Sequence, residues 1–270
     1  MAPAKYTVAV LLALALTLSQ CKFARAQTTL DEAIALNARA LELNRAGKAG
    51  EAIPLAKRAL AMREKALPAG HPDIAQSLNN LAVFYQAQDR HKDAEPLHKR
   101  ALAIRERALP AGHLDIALSL NNLALLYGAQ GRLTEAEPLF KRALAIREKA
   151  LPANHPDTAR SLNNLALLYQ AQGRLVEPEP LLKRALAIHE KASPAGHSDI
   201  ASSLNNLAGL YQEQGRSKDA ERLLQRALAM REKALPAGHP DIATSLNNLA
   251  SHYQSQGRLP ASAGMTLTMD

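Results

Sequence analysis

Apolar residues recur along this chain with helical spacing. Leu78, Leu81, Ala82 and Tyr85 fall at i, i+3, i+4 and i+7, one face of an α-helix. Ala136, Leu139, Ala143 and Ile146 line one face of a second kind of segment. Runs of β-branched residues with period-two alternation are absent, so the pattern predicts an all-α chain with almost no strand. Pro72 and Asp73 suit the first turn of the first segment, where an amide is unpaired and negative charge meets the helix dipole. Gln130-Gly131-Arg132 supplies a break, Gly131 being able to take a left-handed backbone. Thr134 and Glu137 are expected to form a capping box for the next segment. Pro138 is expected in its first turn, where a missing amide costs little, and Leu151-Pro152 ends it.

The two segments repeat as a pair. Ser-Leu-Asn-Asn-Leu-Ala begins at Ser77, Ser119, Ser161, Ser203 and Ser245, each 42 residues after the last. One period earlier, Ala35 is followed by Leu36, Asn37 and Ala40, which keep part of the pattern. The units cover about 30–66, 72–108, 114–150, 156–192 and 198–234, with a half unit at 240–258. A helical hairpin of this size cannot bury both faces alone. Stacked copies bury a continuous core, giving an elongated solenoid over 27–258 in which each hairpin touches only its neighbours. Ala82, Ala94 and Ala101 allow close helix approach where Leu and Tyr fill the remaining space.

Leu78, Leu81, Ala82, Tyr85, Ala94, Ala101 and their copies, with Gly131, Gly173, Gly215 and Gly257 at the breaks, resemble the tetratricopeptide repeat. The resemblance is to its 42-residue form, as in kinesin light chains and many bacterial proteins, and covers about residues 30–258. It implies a right-handed superhelical solenoid whose first helices line a concave groove holding a peptide or an extended segment of a partner. In some bacterial relatives such repeats precede a caspase-like protease domain, so a regulatory or sensor region of a truncated multidomain enzyme is the alternative reading. Four departures stand out. Pro178 replaces a small Ala near the start of a second helix, so the hairpin 156–192 is expected to be locally distorted; Asp89 replaces a break glycine. His252 takes the position of Phe84, Leu126, Leu168 and Leu210, which fits a solvent-facing end cap. Residues 259–270 bear no resemblance to a second helix and are expected to be a disordered tail, which fits a capped array or a truncated gene.

On a helical wheel, the face opposite the Leu/Tyr core carries Gln76, Asn79, Asn80, Val83 and Gln86. Two asparagine columns follow: Asn79, Asn121, Asn163, Asn205 and Asn247, then Asn80, Asn122, Asn164, Asn206 and Asn248. A side-chain amide both donates and accepts, so it can pair with any peptide main chain. The family resemblance implies that role for the second column. The alternative is that the amides bond to a neighbouring repeat or to water. Five such bonds at a net ~1 kcal/mol give about 5 kcal/mol, and micromolar binding needs about 8. Val83, Leu125 and Leu167 could supply the remainder. Specificity is expected at the varying sites Gln76, Leu118, Arg160, Ser202 and Thr244, and at Ala87, Ala129, Ala171, Glu213 and Ser255.

Composition narrows the function. The chain has no Trp, 3% aromatic residues and a net charge of +8, with charges alternating in sign. Nucleic-acid binders cluster their cations and add aromatic stacking platforms, so no nucleic acid is expected. His71, His113, His155, His197 and His239 recur in the loops, one per repeat and each two residues before an Asp, which does not converge on a metal. They are expected to be helix-start residues packing on a neighbour. The Arg-Glu-Lys-Ala repeats are read as a solvated, ion-paired outer face. No nucleophile elbow or phosphate loop is present, so no catalytic residue, cofactor or metal is expected.

Residues 1–26 read as a cleavable export signal. Lys5 starts it, Val8 to Leu18 form its apolar centre, and Ala24-Arg25-Ala26 offers cleavage between Ala26 and Gln27. The chain is therefore expected in the periplasm or outside the cell. The alternatives are an uncleaved membrane anchor over 6–21 or a lipid on Cys21, the single cysteine. A protein or peptide partner is expected, with weak self-association through the apolar end of the half unit as a further alternative.

Overall fold

A computed structural model describes residues 27–192 and 197–258 of the chain. The signal segment 1–26 and the tail 259–270 lie outside the described residues. Every regular element among the described residues is a helix. The chain divides into two compact units, Met1–Gln130 and Gly131–Asp270. The first holds the helical residues 27–45 (α1), then Ala49–Ala66 (α2), Pro72–Gln86 (α3), His91–Ala108 (α4) and Leu114–Ala129 (α5). The second holds Leu133–Ala150 (α6), Pro156–Ala171 (α7), Pro178–Ala192 (α8), His197–Glu213 (α9), Ser217–Ala234 (α10) and Pro240–Ser255 (α11).

Consecutive helices pack on one another from α2 to α5 and from α6 to α11. The helices that carry the Asn-Asn pair also meet side by side: α3 with α5, α7 with α9, and α9 with α11. Each unit therefore presents these helices as one layer. Burial drives the stacking. Ile74, Ala75, Leu78, Leu81, Ala82, Phe84 and Tyr85 of α3 are all interior. In the second unit, Leu204, Leu207, Ala208, Leu210 and Tyr211 of α9 close on Ala220, Leu224 and Ala227 of α10. Each large side chain removed from water contributes ~1.5–3 kcal/mol.

Four of the five recurring loop histidines are N-caps. Nδ1 of His71, His113, His155 and His239 accepts the N–H of the Asp two residues on, at 3.1–3.2 Å. This satisfies one of the donors a helix start leaves open. Among the described residues, no group of three or more His, Cys, Asp or Glu could hold a metal ion.

The intervening helices start differently. Arg132 stands at the N-cap of α6 without a side-chain cap bond, and Thr134 lies inside the helix, so the expected capping box does not form. Glu137 pairs instead with Lys141 and Arg174. Pro138 is the sixth residue of α6, beyond its first turn, and forfeits the amide bond to the Thr134 carbonyl. Pro54 and Pro96 do the same in α2 and α4.

The breaks need a left-handed residue. Gly131, Gly173, Gly215 and Gly257 have φ between +66° and +73°, and Asp89 adopts the same conformation at +55°. Pro178 unwinds a turn: α8 starts at Pro178, leaving Leu175, the counterpart of Leu133, outside the helix. His252 is not a solvent-facing cap. It is 1% exposed, occupies the core position of the preceding repeat's Leu210, and hydrogen-bonds the amides of Gln212 and Gln256.

Candidate functional site

The Ser of Ser-Leu-Asn-Asn anchors a buried arginine from the preceding helix. Arg63 Nη1 donates to Ser77 Oγ at 2.8 Å and to the Asp73 carbonyl at 2.9 Å. Arg105 repeats this with Ser119 and Asp115, and Arg231 with Ser245 and Asp241. Arg147 bonds Ser161. In the remaining copy His189 takes the place of arginine, its Nδ1 2.8 Å from Ser203 Oγ. Arg63, Arg147 and Arg231 begin the Arg-Glu-Lys-Ala motifs, so that motif is not wholly a solvated face: Arg147 is 3% exposed. The guanidinium reaches back under the next helix and finds two fixed acceptors there. Desolvation lowers the Arg105 and Arg147 pKa values without removing their charge.

In the first asparagine column, Asn79 and Asn121 belong to the interior. Asn79 is 2% exposed; its Nδ2 donates to Ser119 Oγ at 3.1 Å, and its Oδ1 lies 2.8 Å from His98 Nδ1. Asn121 is likewise buried. The helical wheel placed both in the groove, but a neighbouring repeat covers that edge of the helix. His98 is buried between Asn79 and Gln86, and desolvation holds its pKa down to about 4. Asn163 and Asn205 are half-buried, and the Oδ1 of each is buried without a hydrogen-bond partner. The reason lies one helix away. Leu182 and Leu224 occupy in α8 and α10 the repeat position that His98 holds in α4, and neither can donate. Asn247 is exposed on α11.

The second column stays at the surface of the helix layer. Asn80, Asn122, Asn164, Asn206 and Asn248 are all half-buried. In the first unit Asn80 is already engaged. Its Nδ2 donates to Asn37 Oδ1 and its Oδ1 accepts from Gln76 Nε2, both at 2.9 Å, while Gln76 Oε1 accepts from Arg105. In the second unit Asn206 and Asn248 make no side-chain hydrogen bond among the described residues. Val83, Leu125 and Leu167 are the exposed apolar residues beside this column, Leu167 at 46%. Arg160 is exposed and pairs with Asp157 at 2.7 Å. A cleft of about 420 Å³ opens on α9, α10 and α11, bounded by Asn205, Asn206, Gly209, Leu224, Asn248 and Ser251.

A second recurring cluster joins hairpins near their turns. Arg174 lies over the Tyr169 ring at 4.0 Å and bonds Glu137; Arg216 lies over Tyr211 at 3.7 Å and bonds Glu179. The Lys141 hydrogen bond, with those from Gln172 and Arg174, holds the Glu137 carboxyl down to about 2. Lys183, then Arg216 and Tyr211, do the same for Glu179.

Sequence reading missed the Arg-to-Ser link, although the constant 14-residue spacing from Arg63 to Ser77, Arg105 to Ser119 and Arg231 to Ser245 carried its signal. It also missed the contrast between His98 and Leu224, because nothing linear pairs them with the asparagines.

Known proteins place this architecture. A Podosopora anserina protein of kinesin-light-chain type with nearly identical TPR-like repeats is similar over 75% of this chain and 96% of its own, at 30% identity and a TM-score of 0.65. BtubC (BKLC) from P. vanneervenii matches over 78% of this chain and 82% of its own, at 24% identity and a TM-score of 0.62. The Pyrococcus horikoshii STAND protein PH0952, with a tetratricopeptide repeat sensor, matches over 83% of this chain but 33% of its own, at 18% identity and a TM-score of 0.67. No curated protein sequence matches. The tetratricopeptide repeat family model matches residues 31–107, 115–191 and 199–264, and the chain belongs to that family.

Proposed function

We propose that the chain is a binding scaffold that holds an extended peptide, or an extended segment of a partner protein, along the Asn-bearing helices. Tetratricopeptide repeats mediate protein–protein interaction, and scaffolds of this kind are typically non-enzymatic. The observation that carries the reading is the layer formed by α7, α9 and α11. Asn164, Asn206 and Asn248 sit half-buried at its surface beside exposed Leu167. A main chain laid across this layer would meet an amide donor and acceptor at each helix. Fluorescence anisotropy with a pooled, randomised nonapeptide library tests this. Replacing Asn164, Asn206 and Asn248 together by Ala removes bonds of ~1 kcal/mol each and should weaken binding on the order of a hundredfold. Unchanged affinity would make the asparagines structural.

We also propose that residues 1–26 direct export, placing the scaffold in the periplasm or outside the cell. Mass spectrometry of the exported protein should give an N-terminus at Gln27; a start at Met1 or Cys21 would instead mean an anchor or a lipoprotein. No helix among the described residues is long and apolar enough to cross a membrane.

A further inference from the structure

The exposed apolar column changes character along the chain: Val83, Leu125 and Leu167 give way to Gly209 and Ser251 at the same repeat position. Gly209 is helical, and a Cβ built on it would meet nothing within 4 Å, so the residue opens space rather than relieving crowding. That space is the cleft on α9, α10 and α11. Asn205 Oδ1, buried and unpaired, belongs to an asparagine that lines it. Asn206 and Asn248 line it with amides that make no side-chain hydrogen bond among the described residues. No charged side chain borders the cleft.

We propose that this cleft is a side-chain subsite that takes a carboxamide, the Gln or Asn side chain of a peptide lying along α7, α9 and α11. The subsite rests on the groove reading above. Two cleft-lining amides that make no side-chain hydrogen bond among the described residues offer donors and acceptors to a ligand. A carboxamide NH2 donates to the Oδ1 of Asn206 or Asn248, and its carbonyl accepts from the NH2 of the other. A lysine or glutamate would surrender its hydration with no opposite charge in the cleft to meet it. A leucine would cover the Asn206 and Asn248 amides without pairing them. In the first unit Asn80 is closed on Asn37 and Gln76, and beside Asn122 the position of Gly209 is filled by Leu125.

Labelled nonapeptide pools, each with one fixed central residue (Gln, Asn, Leu, Lys or Glu) and the other positions randomised, test the subsite by anisotropy against the full chain. The Gln or Asn pools should bind at least fivefold more tightly than the Leu, Lys and Glu pools. Gly209→Leu restores the side chain that Leu125 and Leu167 carry, so the helix tolerates it. It should abolish the carboxamide preference while the Leu pool binds as before. Equal binding of all pools, or a preference that survives Gly209→Leu, overturns the subsite and leaves the groove intact. Absence of binding to every pool overturns the groove reading and the subsite together.

Discussion

Replacing Arg105 by Met removes the fork that joins α4 to Ser119 Oγ and the Asp115 carbonyl. The methionine fills part of the volume, but the Asp115 carbonyl loses a charged donor. A loss of about 2–4 kcal/mol is expected in urea unfolding. Arg226→Met, which breaks an exposed pair with Glu190, should cost less than about 1 kcal/mol. Equal costs would mean that the buried fork adds nothing. His98 makes the second residue-scale case. The unfolded ring gains its proton near 6.5, whereas burial holds the folded ring down to about 4. Stability is therefore full above 6.5, falls as pH drops toward 4, and is level below that. The difference is about 3 kcal/mol. His98→Leu, which copies the residue at Leu224, should flatten the stability profile between those limits. It should also cost stability at neutral pH, because Asn79 Oδ1 and Gln86 Oε1 lose their shared ring partner. A profile unchanged from wild type would remove His98 as the cause.

At the scale of the element, Asp89 holds a backbone conformation that the other breaks give to glycine. Asp tolerates the left-handed region better than most residues but still carries a Cβ. Asp89→Gly should stabilise the α3–α4 turn by roughly 0.5–1 kcal/mol, read as a rise in Tm. A fall in Tm would show that the Asp side chain contributes more than the strain removes. Both helix breaks and both helical faces were legible in the chain, because period 3.6 and a glycine stop are local properties. The starts of the second helices were not. Thr134 and Glu137 satisfied the capping-box spacing, yet Glu137 faces Lys141, Gln172 and Arg174, and charged partners across the hairpin outcompete a local backbone amide. The histidine caps were legible in position but not in role. Only the geometry shows Nδ1 aimed at the N–H of Asp73 and its counterparts.

At the scale of the whole molecule, acid-sensitive groups fall in both units, and burial lowers the pKa of His189 in the second as it does His98 in the first. His98 lies in the first. Glu137 and Glu179 lie in the second, with carboxyls held at about 2 against 4.5 when free. Their contribution is full above 4.5 and is lost as pH falls toward 2. Both groups reach solvent, so each is worth under about 1 kcal/mol and weakens with salt. Hydrogen exchange followed by mass spectrometry should therefore show protection falling in α3 to α5 between pH 6.5 and 4. Protection around His189 should begin to fall over the same range, and the loss tied to Glu137 and Glu179 should follow below 4.5. The reverse order would contradict this assignment.

The 42-residue period, the alternation of two helical faces and the glycine breaks determined an all-α repeat protein without any structure. A repeat that cannot bury its own apolar faces must stack on copies of itself. What each polar residue of the motif does was decided by the neighbour that covers it. Asn79 and Asn80 are adjacent in sequence and of one type, yet one is sealed against Ser119 and His98 and the other stays at the surface. Asn205 repeats Asn79 in sequence and is left unpaired because Leu224 stands where a histidine would donate. Burial and hydrogen bonding are properties of the pair of helices in contact, so an isolated helical wheel cannot assign them. The tertiary structure assigns them, and with them the difference between Asn80, closed on Asn37 and Gln76, and Asn206 and Asn248, which make no side-chain hydrogen bond among the described residues.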